Sequence, residues 1–217
     1  GVTVSMLFSP LMALPSGGKF THGTSGTINT NGNNMNIVGK GTNSVIQWGG
    51  GFSIGKGESV NFEGSNKNYL NIAHGTDKST IEGVLNAGGN NVFLINPNGV
   101  IITKTGTINA NRFVASTSSL KPEDFDKFKA QGASFSPVFK PKPNGGNVVN
   151  MGNINANDVL LIGNKVDIQG GNINGMHNEG VSGDALKNPS GNTANKVHLV
   201  GNEVYIDKDM AKFKTTS

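Results

Sequence analysis

The sequence predicts an all-β solenoid, a parallel β-helix built from short stacked coils, and three observations carry that reading. Of 217 residues, 32 are Gly and 31 are Asn, a mixture unsuited to helices because each interior Gly costs about 1 kcal/mol relative to Ala. One phrase recurs along the chain as GTINTN (Gly26–Asn31), GTINAN (Gly106–Asn111), GNINAN (Gly152–Asn157) and GNINGM (Gly171–Met176), with GVLNAG (Gly83–Gly88) as a looser copy. The starts at Gly83 and Gly106 lie 23 residues apart, and those at Gly152 and Gly171 lie 19 apart. A second phrase matches position for position: VLLIGNKVDI (Val159–Ile168) and VHLVGNEVYI (Val197–Ile206) are 38 residues apart, twice 19. Period-2 alternation within a repeat of about 20 residues describes strands joined at corners. In such a coil Val, Ile, Leu and Phe point inward, Gly and Asn take the corners, and Asn side chains ladder with their equivalents one coil away.

Taken in order, the chain opens with an apolar stretch, GVTVSMLFSPLMAL. Residues 1–14 read either as the end of a signal-peptide apolar region or as a capping strand of the fold. The first GTINTN follows, then a strand ending at Trp48. GGGFSIGKGES (Gly49–Ser59) lacks the order of a phosphate-binding loop and reads as strand–turn–strand. VFLINPNGVII (Val92–Ile102) is the second phrase again, with a corner one residue longer, Asn96-Pro97-Asn98-Gly99. Pro97 suits the second position of a turn and Gly99 a positive φ, while Asn96 and Asn98 can bond nearby backbone. Its apolar flanks are expected to enter the core. Residues 120–146 break the rhythm. LKPEDFDKFKAQG predicts a short helix, with Pro122 in its first turn and Gly132 as its stop. This segment is an excursion from the solenoid, anchored by Phe125, Phe128, Phe135 and Phe139. The coil phrase resumes at Gly152, so residues 1–217 form a single domain.

Charge and motif content narrow the function. The net charge of +4 comes almost wholly from Lys, with Arg112 the single arginine, which argues against a nucleic-acid surface. There is no cysteine, hence no disulfide framework or thiolate metal site. No run of about 18 apolar residues marks a membrane span, so no stable membrane insertion is expected. The acids are scattered, with Asp158, Asp167, Asp207 and Asp209 read as solvated corner residues. His22, His74, His177 and His198 form no metal-ligand spacing. No catalytic residue, metal site or cofactor is expected.

The stretch NSVIQWGGGFSIGKGESVNFEG (Asn43–Gly64), followed by STIEGVLNAGGNNVFLINPNGVIITKTGTINANRFVASTSSL (Ser79–Leu120), resembles the amino-terminal secretion domain of two-partner secretion exoproteins, the filamentous haemagglutinin type. The variant is closer to the high-molecular-weight adhesin and haemopexin-utilisation branch. The resemblance covers Gly17 to Leu120 and rests on the Trp48 and Phe52 pair, the Phe62 strand, the run through Phe93 into the Asn-Pro-Asn-Gly turn, and FVAST. It implies an all-β, right-handed parallel β-helix with N-terminal capping strands. It also implies a non-enzymatic domain that passes through the periplasm of a Gram-negative bacterium and engages a cognate outer-membrane β-barrel transporter through its POTRA domains. The chain would be secreted or reach the cell surface as a monomer, folding outside. Carried over, the secretion motif falls on Asn96, Pro97, Asn98 and Gly99, with Trp48, Phe52, Phe62 and Phe93 supporting the fold. A free-standing β-helical carbohydrate-active enzyme or surface adhesin is the other reading.

Overall fold

A computed structural model describes residues 14–135, 144–174 and 196–206. Leu14 packs against the core; the expectation for the rest of 1–14, and the anchor Phe139, lie outside the described residues.

Two strands, β1 (Gly18–Thr21) and β2 (Gly26–Asn31), precede six coils. The first coil holds β3 (Asn34–Gly39) and β4 (Asn43–Trp48), the second β5 (Ser59–Phe62), β6 (Asn68–Ala73) and β7 (Ser79–Ile81). The third holds β8 (Val84–Asn86), β9 (Asn91–Ile95) and β10 (Val100–Ile102), and the fourth β11 (Thr107–Ser116) and β12 (Val148–Asn150). The fifth holds β13 (Asn153–Ile162) and β14 (Lys165–Ile168), and the sixth β15 (Asn172–Asn174), β16 (Lys196–Val200) and β17 (Glu203–Ile206). Every coil-to-coil pairing is parallel. Long strands β11 and β13 run across two faces, pairing first with the β8 column and then with the β9 column. The third face is the separate sheet β7–β10–β12–β14–β17.

The cap departs from the repeat. GTINTN of β2 pairs antiparallel with β3, and β1 pairs antiparallel with β4. The phrase that forms a parallel rung elsewhere is here turned back by a hairpin. Side-chain alternation is the same in either direction, so the words alone do not distinguish cap from coil. Two further expectations are corrected. Val159 and Val197 are direct partners in β13 and β16, so their spacing of 38 is one coil with an insertion, not two coils of 19. Gly49–Ser59 contributes only the isolated bridge of Ile54 to Ile81 before β5 begins.

The core is the coil interior, and the Asn columns stand along its corners. Asn61 donates to Asn36, Asn86 to Asn61, Asn109 to Asn86, Asn155 to Asn109 and Asn174 to Asn155, at 2.8–3.1 Å. A second ladder runs Asn43, Asn68, Asn91, Asn111, Asn157 at 2.8–3.0 Å. Each inner amide donates an N–H to the coil before it and accepts through its oxygen from the coil after it, so the strand spacing of about 4.8 Å is matched by a side-chain repeat.

The N-terminal coils are filled by aromatics. Trp48 meets Phe52 edge-on at 5.5 Å, Phe52 lies 6.4 Å from Phe62, and Phe62 lies 5.0 Å from Tyr69. Two polar residues sit in this core with their bonds satisfied. Asn71 accepts from Trp48 Nε1 at 2.9 Å and donates to the Phe93 carbonyl at 3.2 Å. The Tyr69 hydroxyl accepts from the Gly39 N–H at 2.9 Å and donates to the Glu63 carbonyl at 2.6 Å. Burial raises the Tyr69 pKa above its ordinary value, so folding holds the neutral phenol. The stability this linkage supplies is whole below pH about 10 and is lost as pH rises through the folded value. Tyr69→Phe orphans the Gly39 N–H and should cost about 1–3 kcal/mol at pH 8. In urea titrations the gap between parent and variant should then narrow above pH 10; a constant gap would remove the linkage.

Candidate functional site

The Asn96–Gly99 corner closes the third coil. Gly99 N–H donates to the Asn96 carbonyl at 3.1 Å, completing a four-residue turn. Asn98 N–H donates to Asn96 Oδ1 at 3.0 Å, an Asx turn inside the first. Gly99 has φ of +131°, and a Cβ there would lie 3.1 Å from the Asn147 carbonyl. This residue therefore must be Gly on two grounds.

Asn96 is buried and fully used. Its Nδ2 donates to the Asp77 carbonyl at 3.0 Å and to Ser79 Oγ at 2.9 Å. Its Oδ1 accepts from both the backbone N–H and Nδ2 of Asn98. Asn98, half-buried, donates Nδ2 to the Gly75 carbonyl at 2.8 Å and to the Asp77 carbonyl at 3.3 Å. Both side chains thus staple this corner to the loop Gly75–Ser79 of the coil before. Pro97 is exposed. It lies on a groove of about 330 Å³ whose lining includes His22, Ile72, His74, Ile95 and Phe125.

The following coil covers the other side. Ile95 pairs with Ser116 and Val100 with Val148, so residues 117–147 replace the equivalent corner of the fourth coil. The excursion springs from directly above the turn. Its returning end lies on it: a Cβ on Gly146 would stand 2.5 Å from the Pro97 carbonyl oxygen and 2.7 Å from Gly99 N. Asn147 accepts from Val100 N at 3.0 Å, and its Oδ1 accepts from Lys165 N at 3.1 Å. In the fifth and sixth coils the corner is three residues, Gly163–Lys165 and Gly201–Glu203, tied by a bond from Asn202 Nδ2 to Asn164 Oδ1 at 2.9 Å.

The excursion folds as expected at its start. Helix α1 (Pro122–Gln131) has Pro122 in its first turn, Glu123 and Asp124 after it, and Gly132 at its C-cap with φ of +52°. A 3₁₀ turn, Gly132–Ser134, follows. Phe128 and Phe135 are buried, and Phe125 is partly buried against His22. They cover the outward side of the β4–β6–β9–β11 sheet, where Val45, Leu70, Phe93 and Val114 form one column. This corrects the expectation for the flank of the turn. Val92 and Leu94 enter the coil, but Phe93 and Ile95 face out and belong to this second cluster. A strand covered on both faces loses its alternation, which is why Val92–Ile95 reads as one apolar run.

Trp48, Phe52 and Phe62 are brought together in the coil interior, and Phe93 stands apart from them under the excursion. None of these four touches the Asn96–Gly99 turn directly through a ring contact or side-chain bond. The residues missed in the sequence are Asp77, Ser79 and Gly146 around the turn, and Arg112. Arg112 lies 5.3 Å over the Phe93 ring and donates to the Ala133 carbonyl at 3.2 Å and the Phe135 carbonyl at 3.4 Å. Burial lowers its pKa while the charge of Asp158, its strand partner, opposes that shift. The single arginine is a clip holding the excursion to the sheet. Its uniqueness in the chain was the available signal, since only a guanidinium combines a flat face with a fork of donors.

Comparison with known proteins is consistent with this arrangement. A family model described as TPS secretion domain matches residues 12–215. A heme/hemopexin-binding protein of Haemophilus influenzae strain Rd is 35% identical over 174 residues, covering 76% of this chain and 18% of that protein. A second heme/hemopexin-binding protein of Haemophilus influenzae is 36% identical over 109 residues, 49% of this chain and 12% of the relative. The chain therefore spans less than a fifth of these relatives. The crystal structure of the HMW1 secretion domain from Haemophilus influenzae aligns with a TM-score of 0.64 at 26% identity, covering 86% of this chain and 44% of that one.

Proposed function

The chain belongs to the family of TPS secretion domains, and from that premise we propose that it leads a larger exoprotein of a Gram-negative bacterium to a cognate outer-membrane β-barrel transporter. In this reading the transporter's periplasmic POTRA domains receive it, and it then folds outside as a right-handed β-helix on which the rest of the exoprotein winds. It acts as a monomer, without catalysis, metal or cofactor. The Asn96–Gly99 corner contributes by closing the third coil and seating the excursion, rather than by direct contact with the transporter.

The observation that carries this reading is the difference between the two ends. At the start, β1 and β2 run antiparallel and terminate the coils. At the other end, among the described residues, β17 has one strand partner, and its Val204, Tyr205 and Ile206 are 39%, 51% and 42% exposed. An apolar strand edge of this kind is a template for another strand. We infer that in an exoprotein as long as the relative, of which this chain covers 18%, the continuation would stack on this edge.

Co-expression with and without the transporter tests the targeting step, scored as appearance of the chain in the medium. The expected result is release only with the transporter. Equal release without it would overturn the proposal.

A further inference from the structure

Four Asn-Gly dipeptides occur in the chain, at 31–32, 98–99, 144–145 and 174–175. Asn-Gly is chemically fragile because Gly offers no side chain to hinder its own backbone nitrogen. That nitrogen, after losing its proton to water or hydroxide, attacks the Asn Cγ. The new C–N bond closes a succinimide, the Cγ–Nδ2 bond breaks and ammonia leaves. Water then opens the ring at either carbonyl to give Asp or isoaspartate. The step needs a free carboxamide and a free Gly N–H, together with a backbone able to bring them into contact.

Two of these dipeptides stand in opposite circumstances. Asn31–Gly32 is at the exposed tip of the β2–β3 hairpin, and among the described residues no hydrogen bond holds the Asn31 side chain. Asn98–Gly99 is engaged at both reacting groups. Gly99 N–H is held by the Asn96 carbonyl at 3.1 Å. Asn98 Nδ2 is held by the Gly75 carbonyl, the Asp77 carbonyl and Asn96 Oδ1 at 2.8, 3.3 and 3.1 Å.

We propose that Asn31 is a deamidation site of the folded domain, and that Asn98 is a deamidation site of the unfolded chain alone. Folding protects Asn98 by occupying the nucleophile and the leaving group together. The damage at Asn98 is also of a different kind. A carboxylate there is acceptor-only and faces the Gly75 and Asp77 carbonyls that now accept its N–H groups. The corner then repels the loop it was stapled to, so time spent unfolded is recorded as a lost ability to close the third coil. The chemistry rests on the fold alone; only its consequence for export rests on the proposed function.

The test is peptide mass mapping of the 217-residue chain incubated at pH 8 and 37 °C, once folded and once in urea. The digest is made at mildly acidic pH so that the added mass of about one dalton reports the incubation. In the folded chain Asn31 should deamidate at least about tenfold faster than Asn98, a ratio set by the free energy of opening the corner. In urea the two rates should agree within about threefold, since both are then plain Asn-Gly sequences. Asn98 keeping pace with Asn31 in the folded chain would overturn the proposal. So would an inert Asn31 in the folded chain, or an inert Asn98 in urea. As a second measurement, Asn98→Asp should refold less than its parent after dilution from urea, whereas Asn31→Asp should refold like the parent; equal refolding of Asn98→Asp would overturn the loss of coil closure assigned to damage at that position.

Discussion

Asn96→Asp should destabilise the domain by about 3 kcal/mol at neutral pH, a large effect for a substitution that changes one heavy atom. The residue is 1% exposed, so the new oxygen cannot turn to water. It would face the Asp77 carbonyl, acceptor against acceptor, at the 3.0 Å now spanned by a donated N–H. Ser79 can still donate its own hydroxyl, which covers one of the two lost bonds. The buried negative charge remains uncompensated, and its cost has a pH signature. Protonation restores a donor, so the gap between parent and variant should shrink as pH falls from about 6 towards 4. Urea midpoints at pH 4 and 7 give the comparison; a gap independent of pH would mean that shape, not charge, decides the corner. Pro97→Ala is the control. Pro97 is exposed, and its loss should cost no more than about 1 kcal/mol, mainly through the unfolded chain. If secretion follows stability, Asn96→Asp abolishes it and Pro97→Ala spares it. Secretion lost with Pro97→Ala in a stable fold would make the exposed surface of the turn the recognised element.

Much of this was legible before the structure, and for physical reasons. Repeated coils repeat their side-chain demands, so the Asn columns and the matched Val159 and Val197 strands stood out as words in the sequence. The extra residue at Asn96–Gly99 was visible because the corners at Gly163 and Gly201 supply the ruler. The excursion announced itself by Pro, by early acids and late Lys, and by Gly132 as a helix stop. What stayed hidden falls into two kinds. Strand direction leaves no trace in alternation, so β2 looked like any other rung. Contacts between distant segments leave no local pattern either. The burial of Phe93 under α1, the placement of Gly146 against Pro97, and the use of Arg112 as a clip join residues more than 20 positions apart. Tyr69 and Asn71 were hidden by chemistry, because polar residues inside a solenoid look like surface residues until their partners are known.

Phe128→Ala should detach the excursion while leaving the coils wound. Phe128 is fully buried and meets Phe93 at 5.7 Å and Phe135 at 5.4 Å, both edge-on. Truncating a buried Phe costs about 3–5 kcal/mol. Here that loss falls on a segment whose other attachments, among the described residues, are Phe135, Leu120, the stacking of Phe125 on His22, the Arg112 clip and a bond from Asn43 Nδ2 to the Lys129 carbonyl at 2.8 Å. The coil interior is a separate cluster that does not include Phe128, so its strands keep their partners. A local loss of about 3 kcal/mol raises the opened population roughly a hundredfold. Limited proteolysis should therefore cut within 120–146 about that much faster, with the far-ultraviolet β signal nearly unchanged. The uncovered column of Val45, Leu70, Phe93 and Val114 should bind a hydrophobic dye. Arg112→Lys should act in the same direction but more weakly, because an ammonium keeps the charge and loses the fork. If Phe128→Ala instead lowers the urea midpoint of the whole β signal without early cleavage, the excursion and the coils fold as one unit. The helix would then be part of what closes the third coil rather than a cover laid over it.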